Sequence, residues 1–253
     1  MSLPAQPNES LIDGLAVLQA LTVAEGPVGV REVARRLGLE PTRANRLLKT
    51  LAHLGLARQG GDRRYAIGPA VHVLAAQTLF ASGLFQRAVG PLGRLHDLGH
   101  VVALGVLWRA QVCYLYHAEP GMDAADAIGR IQLAPAPVSG IGVALLATIP
   151  DDEVRRLYPE APPPRHRSVD ALIERLRAVR HAGFALVDVR DRPRIRSVGV
   201  AVGDPPYAAI ALSGRFGDHD VPRLVRRITD AAGAFEPHAN PAAPPRTPPS
   251  SDD

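Results

Sequence analysis

The sequence predicts an α+β chain in two parts. A small N-terminal unit of helices closes with a β-hairpin, and a connecting helix leads to a larger mixed α/β part. Three observations carry this. Apolar residues recur at three- and four-residue spacing up to Leu54. Two short strand-like runs flank the turn Gln59-Gly60-Gly61-Asp62. From Phe85 onward, helix-spaced and strand-like apolar runs are mixed.

Element by element, Ser10 reads as an N-cap with Asp13 at the third helical position, and Leu11, Leu15, Leu18 and Leu21 form the apolar stripe of a helix reaching Ala24. Gly26-Pro27 ends it. A short helix over 31–37 buries Val33, Ala34 and Leu37, and Gly38 stops it. Pro41 opens a third helix with Ala44, Leu47, Leu48, Leu51 and Leu54 on one face. Strands at 56–58 and 63–67 form the hairpin, and 70–82 forms the connecting helix. The second part reads as a helix over 85–98, a hairpin of 101–108 and 111–117, an irregular stretch over 119–136, a small-residue helix over 138–147 and a charged helix over 151–158. Ser168 caps a helix ending at Gly183, strands follow at 184–188, 195–202 and 207–213, and the last helix spans 221–235. Residues 1–9 and the Pro- and Ala-rich tail 237–253 read as disordered.

Composition narrows the function classes. The 253 residues are 46% hydrophobic and 21% charged, which suits a folded chain with one large core or two modest ones. No stretch nears the roughly 20 apolar residues of a membrane helix, and the first residues lack the pattern of a signal peptide. Cys113 is the single cysteine, so no intrachain disulfide forms and a cytoplasmic location is expected. Between Arg31 and Arg64 nine basic residues stand against three acidic ones, a local +6 within a formal net charge of +4. The remainder therefore nets −2. Such a segment suits a nucleic-acid partner, although a solvated Arg-rich surface gives the same count.

A short helix, a Gly-containing turn, a longer helix and a small hairpin describe a winged helix-turn-helix, whose second helix enters the major groove. With Ala44, Leu47, Leu48, Leu51 and Leu54 facing inward, Thr42, Arg43, Asn45, Arg46 and Lys49 are left for DNA. Arg bonds guanine bidentately, Asn bonds adenine, and Thr and Lys contact phosphates. Arg31 and the wing residues Arg63 and Arg64 complete the expected double-stranded DNA surface. Arg46 has a plainer alternative, an ion pair with Glu32 or Glu40.

Other chemistries are weakly supported. His96 and His100 have a helical metal-ligand spacing, but Gly99 interrupts it. Cys113 and His117, four apart on a strand, are expected on one face, yet a lone strand cysteine is usually core. Gly140-Ile141-Gly142 lacks the third glycine of a dinucleotide fingerprint. No catalytic residue, metal or cofactor is expected. A ligand-independent architectural DNA binder stays open as an alternative, as does, less favoured, an enzyme fused to a winged helix.

Residues 11–68 resemble the N-terminal domain of the IclR family of bacterial regulators. The resemblance lies in Leu15-Ala16-Val17-Leu18, the run 30–39, Asn45-Arg46-Leu47-Leu48-Lys49-Thr50-Leu51 and Arg64-Tyr65-Ala66-Ile67-Gly68-Pro69. It continues through 139–147, 194–202 and 209–214, and so covers about residues 10–235. It implies a GAF-like α/β effector-binding domain and a homodimer or homotetramer that binds operator DNA under control of a small-molecule effector, an organic acid or aromatic catabolite. The effector pocket it implies involves Gly140, Ile141, Asp188, Ser197, Ala211 and Ser213. The chain departs from the family pattern at Arg43, where Thr or Ser is frequent, at Arg194 and Ala201, and at Ala211, which replaces a hydroxyl. A basic run, Arg190, Arg192, Arg194 and Arg196, stands where the family is acidic. It either favours an acidic effector or lines an exposed loop.

Overall fold

The computed structural model describes residues 6–123, 125–129, 133–189 and 194–233. The expected tail 237–253 and residues 1–5 lie outside them. The chain divides after Ser82 into two compact units.

In the first unit, α1 (Glu9–Thr22) starts earlier than Ser10 predicts. Asn8 is the cap, its Oδ1 accepting from the Leu11 N–H at 3.0 Å, and Ser10 sits inside the helix. Asn and Ser are comparable caps, so the earlier of the two serves here. The inward face is Val17, Ala20 and Leu21, whereas Leu11 and Leu15 are 60% and 51% exposed. Their spacing marks a stripe correctly, but the stripe lies about a third of a turn away from the core face. Then come α2 (Val30–Leu37) and α3 (Pro41–His53), with Gly38 between them at φ 65°, the left-handed conformation that glycine adopts without steric cost. Ala44, Leu48 and Leu51 seat α3 on the core. Leu54, expected to extend that stripe, lies beyond the helix end and is exposed. Strands β1 (Ala57–Gln59) and β2 (Tyr65–Ile67) pair antiparallel, and Val28 adds one bridge to Tyr65. Helix α4 (Ala70–Ser82) follows, and none of its residues is buried.

The second unit opens with α5 (Leu84–His96). It then builds one antiparallel sheet from β3 (Val101–Trp108), β4 (Gln111–Ala118), β5 (Ala134–Pro135), β6 (Ala185–Asp188), β7 (Arg196–Val202) and β8 (Ala208–Gly214). The spatial order is β5-β4-β3-β8-β7-β6. Helices α6 (Gly140–Leu146), α7 (Asp151–Leu157) and α8 (Val169–Ala182) cover one face, and α5 with α9 (Val221–Gly233) covers the other. Alternation along the strands divides two cores. Val102, Leu104, Ile210 and Leu212 point to α5 and α9, while Ala103, Ala209 and Ala211 point to α6. The α6 face is lined by alanine and glycine because α6 packs unusually close: a Cβ on Gly199 of β7 would collide with the Gly140 carbonyl.

One irregularity redirects side chains. The β3–β4 register shifts between Leu104 and Gly105, so Leu104 opposes Tyr116 while Gly105 opposes Tyr114. Leu115 is the extra residue of a β-bulge. Cys113 therefore opposes Val106 and His117 opposes Ala103, which places them on opposite faces rather than on one face as their spacing suggests. The stretch 119–136, expected to be irregular, carries β5, a bridge between Ile128 and Tyr116, and a 3₁₀ turn at Ala136–Val138.

Candidate nucleic-acid interface and ligand cavity

Helix α3 advances about 100° per residue, so positions 42, 45, 46 and 49 fall on one side of it. Thr42, Arg46 and Lys49 are exposed there and Asn45 is partly so, opposite buried Ala44, Leu48 and Leu51. The structure thus brings four of the expected DNA residues onto one face. Arg46 is not paired with Glu32, which holds Arg36 instead.

Arg43 behaves differently. It lies about 100° round the helix from Thr42, and its Nε meets Asp13 Oδ2 of α1 at 2.6 Å. Its guanidinium ties α3 to α1. A half-exposed pair of this kind contributes at most about 1 kcal/mol. Arg43→Ala is expected to lower the thermal midpoint by a few degrees and to weaken DNA binding less than Arg46→Ala, measured by calorimetry and gel shift on the same preparations. An equal or larger loss of binding at Arg43 would reverse that ranking.

Arg31 is exposed at the start of α2. In the wing, Arg63 occupies the turn at φ 61°, and the Gly60 N–H donates to the Arg64 carbonyl at 2.8 Å to close it. Arg64 bonds the Pro27 carbonyl through Nη1 at 3.2 Å. That anchors the wing arginine toward the α1–α2 connection and leaves Arg63 at the tip.

In the second unit a cavity of about 330 Å³ lies on the α6 face of the sheet. Five of the six expected effector residues line it: Gly140, Ile141, Ser197, Ala211 and Ser213. Its polar groups form two pairs. Ser213 Oγ donates to Ser197 Oγ at 2.9 Å, and the Tyr114 hydroxyl meets Ser139 Oγ at 2.9 Å. Ser139 also caps α6, accepting from the Gly142 N–H. Burial pushes the Tyr114 phenol up, partly offset by its bond to Ser139, so it stays a neutral hydrogen-bonding group.

Asp188 is the residue the cavity excludes. It opposes Arg196 across β6 and β7, on the face away from Ser197, and its side chain is 87% exposed. The neighbouring Val189 lines the cavity instead. Arg196 shares that far face, pairing with Asp218 at 2.9 Å and lying over the Phe216 ring. Arg194 is exposed, and Arg190 and Arg192 lie outside the described residues. Tyr114, His117, Glu119 and Ser139 are cavity residues that sequence reasoning missed. Ser139 was legible as the cap of the small-residue helix. Tyr114 and His117 were hidden by the bulge, since strict alternation puts residues 114 and 117 on different faces. Among the described residues no group of three or more His, Cys, Asp or Glu side chains gathers to hold a metal, and no helix is long and apolar enough to cross a membrane.

A helix-turn-helix with a basic outer helix face and wing, followed by an α/β domain with a cavity, defines a DNA-binding transcriptional regulator. Residues 10–61 match the IclR helix-turn-helix domain. The chain is 28% identical over 231 residues to the HTH-type transcriptional regulator BhcR of Paracoccus denitrificans, covering 86% of this chain and 82% of that one. Its fold matches the crystal structure of an IclR transcriptional regulator from Alicyclobacillus acidocaldarius with a TM-score of 0.69 at 23% identity, over 91% of this chain and 98% of the other. It also matches an IclR homolog complexed with 4-hydroxybenzoate from Microbacterium hydrocarbonoxydans, with a TM-score of 0.66 at 19% identity, over 89% and 97%. Residues 10–61 thus carry an IclR helix-turn-helix domain, and the chain is similar to IclR-type transcriptional regulators over most of its length.

Proposed function

We propose that this regulator binds operator DNA as a homodimer, or a pair of dimers, and that a small organic acid or aromatic compound in the α6-face cavity sets its affinity. Thr42, Asn45, Arg46 and Lys49 face the major groove, with Arg31, Arg63 and Arg64 on the flanking backbone and Arg43 at the edge. Gly140, Ile141, Ser197, Ala211 and Ser213 form the effector site with Tyr114 and Ser139; Asp188 acts from outside it. No catalytic role is assigned, and the protein works in the cytoplasm.

The observation that carries the effector reading is the cavity itself. It combines apolar walls from Ile141, Val189 and Ile195 with paired hydroxyls from Ser197 and Ser213. That mixture suits a small ligand with an apolar body and a polar end. The 4-hydroxybenzoate bound by the Microbacterium homolog is of this class. An architectural DNA binder has no use for such a site. The dimer reading rests on α4, where Val73, Leu74 and Phe80 are exposed on a helix without a charged residue. Apolar surface of that kind is covered by a second copy. The ligand favours one arrangement of the dimer and thereby changes the spacing of the two α3 helices on DNA.

The test is a thermal-shift and gel-shift screen of the full chain against small carboxylates and hydroxybenzoates. At least one compound is expected to raise the midpoint and shift operator affinity together. Ser213→Leu, which fills the cavity, is expected to abolish both effects. If no compound shifts either, or if Ser213→Leu leaves the response intact, the effector reading fails.

A further inference from the structure

We propose a second ligand site on the opposite face of the sheet, between α5 and the loop residues Met122, Asp123, Ala125 and Ile128, which takes a neutral, single-ring phenol-like compound. A cavity of about 330 Å³ lies there, separated from the effector cavity by the sheet. It exceeds the roughly 150 Å³ in which an apolar protein cavity already holds a benzene ring.

Its walls are mostly apolar: Phe85, Ala88 and Leu92 from α5, and Met122 and Ile128 from the loop. The loop wall is tethered rather than loose. His117 N–H donates to the Ala127 carbonyl at 2.8 Å, and Ile128 bridges Tyr116. One polar pair faces the space, the Tyr116 hydroxyl and His96 Nε2, 2.8 Å apart. If the hydroxyl donates to Nε2, its oxygen accepts from a ligand; if Nε2–H donates to the oxygen, the hydroxyl donates to a ligand. A ligand hydroxyl satisfies either arrangement. Asp123 is the acidic side chain in the lining and repels a carboxylate. The site therefore suits a neutral hydroxylated ring.

The Leu115 bulge links the two sites. It lets β4 present Tyr114 and His117 to one cavity and Tyr116 to the other. Strict alternation would not divide those side chains in this way. Helix α5 follows α4 with only Gly83 between them, so a ligand bracing α5 acts on the helix next in the chain to the connecting helix.

The experiment is a ¹⁹F NMR titration of the full chain with 4-fluorophenol. Saturable binding is expected at roughly millimolar or tighter Kd. Gly93→Leu places a side chain in the cavity from an α5 position where an added Cβ meets nothing within 4 Å. It is expected to weaken binding at least about tenfold. Val89→Trp, at the exposed mouth, is expected to do the same and covers the case in which Gly93→Leu does not fold. Tyr116→Phe is expected to weaken binding by roughly three- to tenfold. Ser213→Leu in the α6-face cavity is expected to leave it unchanged. Absence of saturation, or binding lost through Ser213→Leu and retained in Gly93→Leu and Val89→Trp, would overturn the proposal. So would equal losses in all variants.

Discussion

Replacing Arg46 and Lys49 together with alanine is expected to reduce affinity for the native operator by about a hundredfold per half-site, with no loss of folding. A bidentate arginine–guanine contact is worth about 1–3 kcal/mol, and each tenfold in affinity is about 1.4 kcal/mol. In the proposed reading Lys49 contacts a phosphate, and its removal is expected to lower the salt slope of binding by about one. Both side chains are exposed on the α3 face opposite Ala44, Leu48 and Leu51, so truncating them should cost within about 0.5 kcal/mol of stability. The measurement is gel shift or anisotropy at several salt concentrations beside a thermal melt. Unchanged affinity with an intact melt would remove α3 as the reading helix.

How far this interface was legible in the sequence follows from local physics. Pro41, the 3.6-residue period of α3 and the Gly60-Gly61 turn act within a few residues of themselves, so helix, hairpin and outward face were read correctly. What α1 packs against is a long-range property. The stripe of Leu11 and Leu15 looked like core but lies outside it, because the buried face of α1 is Val17, Ala20 and Leu21. Arg43 gave the same lesson: its pairing with Asp13 joins residues thirty apart, and nothing in the sequence around it announces the partner.

The α6-face cavity was half legible. Gly140, Ile141, Ser197, Ala211 and Ser213 followed from the family resemblance, and the strand register explains why they meet: Ser197 opposes Ser213, which opposes Val101, all on one face. Asp188 falls outside the cavity lining by parity, since it opposes Arg196 rather than Ser197. The inserted residue at Leu115 reverses parity along β4, and no periodicity argument sees an insertion of one residue. The residues missed there, Tyr114 and His117, are those that let one strand serve two cavities.

The close approach of α6 to β7 makes the second large effect predictable. Gly199→Ala adds one methyl group to β7, directly against the Gly140 carbonyl and within 3.2 Å of the Ile141 nitrogen. The obstacle is backbone, which cannot rotate away as a flexible side chain can. Helix α6 must shift, and all seven of its residues are buried. Overpacking of this kind costs about 3 kcal/mol, a fall in melting temperature of roughly 6–12 °C for a domain this size. The shift also carries Gly140 and Ser139 away from Ser197 and Tyr114, so the ligand-induced thermal shift should shrink along with stability. Gly93→Ala is the control: its Cβ meets nothing within 4 Å, and alanine inside α5 should instead add about 0.5–1 kcal/mol. If the two variants melt alike, α6 is not held by this contact, and the cavity's geometry has another origin.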